Sequence, residues 1–398
     1  MKELFPIFKT HKDLVYLDSS ASSLKPKMVI DAVSNYYNNY SCNIERGIYK
    51  ICFDATRICE DARQNIASYL NVDSEEIIFT RGASSSLNMV ASMLKDILKE
   101  GDEVIVSELE HHSSFLPFLR LSKTIGIKLV FVELTPDGHI TVENFKKALS
   151  PKTKVVALTH VSNVLGYITP IKEIIELSHK NNIIVSVDGA QAIPHFRVDL
   201  KDLDADFYSF SFHKCFGPTG LGVLYGKKKY LNMLEPVELG GEMNSTVTKD
   251  SVTYKDIPYK FEAGTMPIAE IFGASKAIDF LRSLDLLKEE EKAISLRNIA
   301  LSELKKMDEI IIYNDTDSSS IISFNIKGVH SHDAVSYLSE SICLRAGQHC
   351  AEPLHNFLGV NATLRASFYY YNDLEDVKVF ISKIKDAINF FKEVGLIV

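Results

Sequence analysis

The stretch Ile183-Ile184-Val185-Ser186-Val187-Asp188-Gly189-Ala190-Gln191 decides the fold. Ile183 to Val187 is a near-continuous apolar run, the pattern of a strand buried on both faces. Asp188 ends the run and a turn of small residues follows. The next run, Phe207 to Ser211, leads into Phe212-His213-Lys214 and then Cys215-Phe216-Gly217-Pro218-Thr219-Gly220. In open parallel sheets ligands sit outside the carboxyl ends of the strands. An acid and a lysine therefore stand at the two positions most worth inspecting. Asp188 can instead be the N-cap of the next helix. Lys214, among aromatics and before a Gly/Pro turn, is not placed like a solvated surface lysine. In a partly dry cleft its pKa falls and its amine can form a Schiff base. An Asp on the neighbouring strand end can keep a pyridinium nitrogen protonated. The pair matches the requirement of pyridoxal phosphate.

Working outward, the same rhythm covers the first two-thirds of the chain. Further strand candidates are Val15 to Asp18, Glu76 to Thr80, Glu103 to Ser107, Lys128 to Val132, Val155 to Thr159 and Gly222 to Tyr225. Helical patterns lie between them, most clearly Ser84 to Leu98, Ser113 to Thr124 and Ile171 to Asn181. This alternation predicts an α/β domain with a mostly parallel sheet. After Tyr254 the rhythm changes. Amphipathic helices at Ala269 to Leu284 and Lys288 to Lys306 precede strands at Ile321 to Ile326 and Ile342 to Arg345. A last helix covers Leu374 to Val394. We expect a large domain over 13–265, and a smaller α+β domain over 266–398 joined by 1–12.

Composition narrows the function. The chain has 398 residues, 46% of them hydrophobic and 24% charged, as in an ordinary globular protein. Its formal net charge of −8 argues against non-specific nucleic-acid binding, which needs clustered positive charge. No uncharged apolar run approaches the ~18 residues of a membrane span. The start, Met1 to Pro6, lacks the apolar core of a signal peptide. Six cysteines without a CxxC pair read as reduced thiols in a cytosol-like compartment.

Four further stretches carry chemistry. Thr80-Arg81-Gly82-Ala83-Ser84-Ser85-Ser86 follows a strand and opens a helix. It suits a phosphate, or it is a plain Ser-capped helix start. Glu110-His111-His112-Ser113 follows another strand. Neighbouring helix residues point apart and no further ligand lies at metal spacing, so a metal site is not expected. An imidazole lying over a cofactor ring is one use of this pair, and a solvent-facing helix start is the other. Cys350, in Arg345-Ala346-Gly347-Gln348-His349-Cys350, has two basic neighbours that favour a thiolate. Cys42, Cys52, Cys59 and Cys343 read as small core hydrophobes. Arg365 can fork a substrate carboxylate or form an interdomain salt bridge.

The strings Val187 to Gln191, Ser211 to Lys214, Phe261-Glu262-Ala263-Gly264-Thr265, Arg345 to Cys350 and Arg365-Ala366-Ser367 resemble those of cysteine desulfurases. The likeness is nearer to the SufS type (group II) within the class V aminotransferase family. It runs from Tyr16-Leu17-Asp18 to Tyr371-Asn372 and includes Thr159 to Gly166. The resemblance implies the pyridoxal-phosphate-dependent transferase fold type I, with a seven-stranded sheet and a smaller C-terminal α+β domain. It implies that Lys214 holds pyridoxal 5'-phosphate covalently. Asp188 would meet the ring nitrogen, Gln191 the ring hydroxyl, and His111 would stack on the ring. Ser84, Ser211 and His213 would bind the phosphate, joined by Thr265 from the neighbouring subunit of a homodimer. Asn163 and Arg365 would hold the carboxylate of L-cysteine. Cys350 would take the sulfur as a persulfide and pass it to an acceptor protein of the U or E type for iron–sulfur cluster assembly. A selenocysteine lyase, another cysteine-type β-lyase and a non-catalytic sulfur-transfer scaffold are the alternatives.

Some positions depart from that pattern. Gln348 stands where His is frequent, Phe212 where Gly is common, and Cys215 where a bulky residue is usual. Glu45 replaces a common His, and Ser85 a frequent acid. His332 either helps a zinc-bearing partner dock or caps its own helix on the surface.

Overall fold

The computed structural model describes residues 1–316 and 318–397. Its main sheet has seven strands: β1 (Ile77–Thr80), β2 (Glu103–Val106), β3 (Lys128–Phe131), β4 (Thr153–Thr159), β5 (Ile184–Asp188), β6 (Phe207–Ser211) and β7 (Gly222–Gly226). They lie in the order β1-β7-β6-β5-β4-β2-β3. β7 runs antiparallel to both its neighbours and every other pairing is parallel. The expected mostly parallel, seven-stranded α/β architecture is the one observed.

The period of two explains the apolar runs. Alternate residues of one strand feed two separate cores. Ile77 and Phe79 of β1 join one cluster and Ile78 the other; Val156 and Leu158 of β4 join the first, Val155 and Ala157 the second. Both faces must therefore be apolar. Register then brings the strand ends together: Thr159 pairs with Asp188, and Asp188 with Ser209. The chain leaving β4, β5 and β6 shares one edge.

Gly189 shows how tight that edge is. A Cβ there would sit 1.9 Å from Cε1 of Tyr208, a side chain with no exposed surface. Gly189→Ala is expected to destabilise the fold by at least about 1–3 kcal/mol through overpacking. Denaturant unfolding measures it, and an unchanged midpoint would mean that Tyr208 yields freely.

A hairpin of β8 (Asn244–Val247) and β9 (Val252–Tyr254) follows, then a second, antiparallel sheet. Its strands are β10 (Ile310–Ile312), β11 (Ile321–Ile326), β12 (Arg345–Gly347) and β13 (Thr363–Ser367), in the order β10-β11-β13-β12. Val15 to Asp18 was expected to pair as a strand of the α/β part. It is instead laced into this second sheet by single bridges, Tyr16 to Cys343 and Asp18 to Ser367. Its alternation has a different cause, because Val15 and Leu17 fill the core under the second sheet.

The Phe261 to Thr265 string has a structural role. Arg63 makes a two-point pair with Glu262, at 2.7 and 2.9 Å, and Glu262 also accepts from the N–H of Phe79 at 2.7 Å. This buried pair ties the helix Lys50–Leu70 to β1 and to the segment before the helix Ile268–Ser283. No described helix is long and apolar enough to cross a membrane.

Candidate active site

The shared strand edge opens into a cavity of about 240 Å³. Lys214, Asp188, Gln191 and Ser211 reach it from the ends of β5 and β6, and Asn163 from the loop after β4. Ser84 and His111 enter from two helix starts, and His213 from the short turn that carries Lys214. The second sheet closes the cavity with Arg365 and the loop bearing Cys350. Of the cofactor, substrate and sulfur-accepting residues expected from the sequence, all line this cavity except Thr265, which lies in a small cleft with Asn43, Glu45 and Glu242.

Lys214 sits on a single 3₁₀ turn that follows β6 directly. Among the described residues its amine has no hydrogen-bond or ion-pair partner. Burial pushes its pKa below a lysine's ordinary value, and the facing Asp188 carboxylate opposes that shift. Burial pushes Asp188 the other way, while the N–H of Ala190, 3.0 Å from Oδ1, and the charge of Lys214 hold it down. The expected alternative for Asp188, a helix cap, reduces to this one local bond. Gln191 donates from Nε2 to the carbonyl of Ser20 at 2.8 Å, leaving Oε1 buried without a partner. Ser20 Oγ is likewise unpartnered. Buried polar atoms without partners are costly, so this side of the cavity is built for a polar ligand.

The helix Ala83–Leu94 starts at Gly82, whose φ is +153°, and no side chain of its own caps it. The plain Ser-capped reading of this loop is therefore corrected. Ser211 Oγ instead accepts from the N–H of Ala83 at 2.7 Å. Gly222 is needed for the close approach of β7 to this helix start, since a Cβ there would lie 2.5 Å from the Gly82 Cα. A helix N-terminus flanked by Ser84, Ser211 and His213 suits a phosphate.

His111 is the N-cap of the helix His112–Thr124, with Nδ1 accepting from the N–H of Ser113 at 3.1 Å. That bond assigns the proton to Nε2. Burial, and then the charge of Lys214, push its pKa down to about 3, so the ring is neutral. His213 and the buried His160 are each pushed down to about 4, both chiefly by burial. An unfolded histidine titrates near ~6.5. Below that value the unfolded chain takes up protons that the folded chain refuses, so the stability from these rings is complete above it and is lost as pH falls through it. Glu110, next to His111 and pushed up to about 8 by burial, acts with the opposite sign, while His349 and His355, also pushed down by burial, add to the three rings. Thermal unfolding should therefore show a lower midpoint at about pH 5 than at about pH 7.5. An equal or higher midpoint at the lower pH would contradict the neutral rings.

Cys350 is exposed and sits in a strained turn: Gly347, His349 and Cys350 have φ of +126°, +50° and +56°. Positive φ at two non-glycine residues marks a loop held by its surroundings. The holders are visible. Asn163 Nδ2 donates to the His349 carbonyl at 2.7 Å, and the N–H of His112 to the Cys350 carbonyl at 2.7 Å. The sequence pointed to His349 as a cation beside the thiol. Burial instead pushes it well below the ordinary histidine value, so it is neutral. The positive charges at this end are Arg365 and Arg345, both facing Asp18, at 3.3 and 3.6 Å. Arg365 Nη1 also donates to the Asn163 carbonyl at 2.8 Å, and its buried Nε has no partner.

Sequence reading passed over three contributors. Ser20 lines the cavity, and its only signal was its place just after the Val15 to Asp18 run. Glu110 accepts from Ser107 Oγ at 2.8 Å and from the N–H of Thr159 at 3.1 Å, joining the ends of β2 and β4 beneath His111. Lys25 donates to the His213 carbonyl at 2.7 Å and so steadies the turn that bears Lys214.

Comparison with known proteins places this geometry. The model of the Aminotransferase class-V family matches residues 15–380. A probable cysteine desulfurase of Halalkalibacterium halodurans is 43% identical over 400 residues, covering 99% of this chain and 98% of the relative. The crystal structure of the cysteine desulfurase CsdA of Escherichia coli, in an S-sulfonic acid form, matches with a TM-score of 0.92 at 38% identity. It covers 98% of this chain and 97% of that one. The apo cysteine desulfurase of Thermococcus onnurineus matches with a TM-score of 0.94 at 35% identity, over the same shares of both chains. The chain belongs to the class-V aminotransferase family, and the relatives it resembles over nearly its whole length carry the name cysteine desulfurase.

Proposed function

We propose that this protein is a pyridoxal-phosphate-dependent cysteine desulfurase that converts L-cysteine to L-alanine and leaves the sulfur as a persulfide on Cys350. One observation carries the reading: an unpartnered lysine amine and an exposed cysteine thiol line the same 240 Å³ cavity. The free amine, the buried carboxylate of Asp188, the unpartnered Gln191 Oε1 and the helix start beside Ser211 fit the cofactor. Bound pyridoxal phosphate supplies an electron sink that weakens bonds around the substrate's α-carbon.

The chain's residues then have distinct tasks. Lys214 would hold the cofactor and, as a base of lowered pKa, would take a proton from the substrate's α-carbon. Asp188 would keep a proton on the ring nitrogen, Gln191 would meet the ring hydroxyl, and neutral His111 would lie over the ring. Ser84, Ser211 and His213 anchor the phosphate. Thr265, which lies outside the cavity of its own chain, serves the same phosphate in the partner subunit of a homodimer. Asn163 and Arg365 hold the substrate carboxylate. The Cys350 thiolate attacks the substrate sulfur, the carbon–sulfur bond breaks, a sulfur–sulfur bond forms, and the carbon takes up a proton. The balance is one cysteine and one thiol in, one alanine and one persulfide out. An acceptor protein of the U or E type removes the sulfur for iron–sulfur cluster assembly. The six free thiols support a cytoplasmic setting.

Purified protein mixed with pyridoxal phosphate should turn yellow and release alanine from L-cysteine. A protein that stays colourless with added cofactor would overturn the reading and favour a scaffold that only binds sulfur-transfer partners.

A further inference from the structure

The loop after β4 presents four successive carbonyls to the second sheet and to the loop that joins β10 to β11. The Asn163 carbonyl accepts from Arg365 Nη1 at 2.8 Å. The Val164 carbonyl accepts from Ser323 Oγ at 2.5 Å. The Leu165 carbonyl accepts from Asn314 Nδ2 at 2.8 Å and from Ser318 Oγ at 2.7 Å. The Gly166 carbonyl accepts from the N–H of Ser319 at 2.9 Å. Nothing loose separates the two surfaces. Gly166 has a φ of +70°, and a Cβ there would lie 2.4 Å from Ser318 Oγ and 2.6 Å from Ser319 Oγ.

The two central donors are themselves fixed. Asn314 Nδ2 also donates to the Ile321 carbonyl at 3.0 Å, and its Oδ1 accepts from the N–H of Ser323 at 2.9 Å. Neither Asn314 nor Ser323 has exposed surface. Ser323 stands directly opposite Arg365 across the β11–β13 pair. Cross-strand partners project from the same face of a sheet. Adjacent side chains of one sheet thus grip adjacent carbonyls of one loop.

We infer that Ser323 and Asn314 are positioning residues for carboxylate recognition, which rests on the proposed reading of Arg365 and Asn163. Arg365 has one arm committed to the Asn163 carbonyl, an unpartnered buried Nε, and Nη2 3.3 Å from Asp18. Nε and Nη2 form the side of the guanidinium that can take a carboxylate in a two-point fork. The direction of that fork is set by the anchored arm, and the anchor by the loop. Ser323 and Asn314 fix the loop one and two residues beyond the anchor. Removing either lets the Asn163 carbonyl drift, and Arg365 drifts with it.

The test compares two amines. Cysteamine carries the thiol and amine of cysteine without the carboxylate. Wild-type, Ser323→Ala and Ser318→Ala proteins, loaded with pyridoxal phosphate, are titrated with each amine and followed by the absorbance change of the bound cofactor. Ser323→Ala should raise half-saturation for L-cysteine about three- to tenfold, the worth of one hydrogen bond, while cysteamine moves less than about twofold. The kcat should stay within about threefold, since the anchor acts on binding. Ser318→Ala, a milder change at the same loop, should move the same way by less, and decides the matter if Ser323→Ala does not fold. Equal shifts for both amines, or none for either, would overturn the inference. A wild-type protein that shows no absorbance change with L-cysteine overturns the parent reading instead.

Discussion

Replacing Cys350 with alanine is expected to reduce alanine formation from L-cysteine by on the order of a thousandfold or more, because no other thiol can accept the sulfur. The other five cysteines are not candidates for the role. Cys52, Cys59 and Cys215 are buried, and Cys42 and Cys343 do not line the cavity. Cys215 follows Lys214 in sequence, yet burial pushes its thiol up to about 12 and its sulfur donates to the Ser211 carbonyl at 3.4 Å. It stays a thiol packed under the sheet. The variant should fold normally, since Cys350 is exposed and its loop is held through backbone carbonyls that alanine keeps. It should also still bind cofactor and turn yellow. Selenium release from selenocysteine should survive, because selenium leaves without needing a thiol acceptor. Cysteine turnover that survived unaltered would remove the persulfide step from the account.

Replacing Lys214 with alanine is the second large effect. Turnover should fall by at least about 10²–10⁴, the range for losing a positioned proton-transfer group, and covalent retention of the cofactor should be lost as well. The two changes separate the halves of the chemistry. Cys350→Ala should keep the colour and lose the desulfuration; Lys214→Ala should lose both. The amine is unusually well placed for this role. It lacks a partner among the described residues, and burial lowers its pKa, which favours the free base. Dialysis followed by an absorbance spectrum measures retention. A Lys214→Ala protein that kept a tightly held yellow cofactor and turned over cysteine would show that another group carries the chemistry.

The strand ends were legible because strands buried on both faces cannot hide their apolar runs. Ile183 to Val187 and Phe207 to Ser211 could be read almost to the residue, and with them Asp188 and Lys214. The second sheet was harder. β13 is Thr-Leu-Arg-Ala-Ser, all buried, and a charged residue in its middle breaks the apolar signal of a strand. That same residue is Arg365, and its burial is affordable only because the Asn163 carbonyl and Asp18 meet it from distant parts of the chain. β12 was expected at Ile342 to Arg345 and lies at Arg345–Gly347, since its register follows β13 rather than its own pattern. The charge state of His349 was not legible at all. It depends on burial created by the packing of two sheets, which sequence neighbours cannot report.

The account stands on a lysine amine and a cysteine thiol acting on one substrate in one cavity. The most direct measurement is the mass of the Cys350 peptide after brief exposure of the cofactor-loaded protein to L-cysteine, with alanine counted in the same sample. The account predicts one added sulfur on that peptide and alanine in matching amount. Alanine released while every Cys350 peptide stays unmodified, even under non-reducing handling and with no acceptor present, would contradict it.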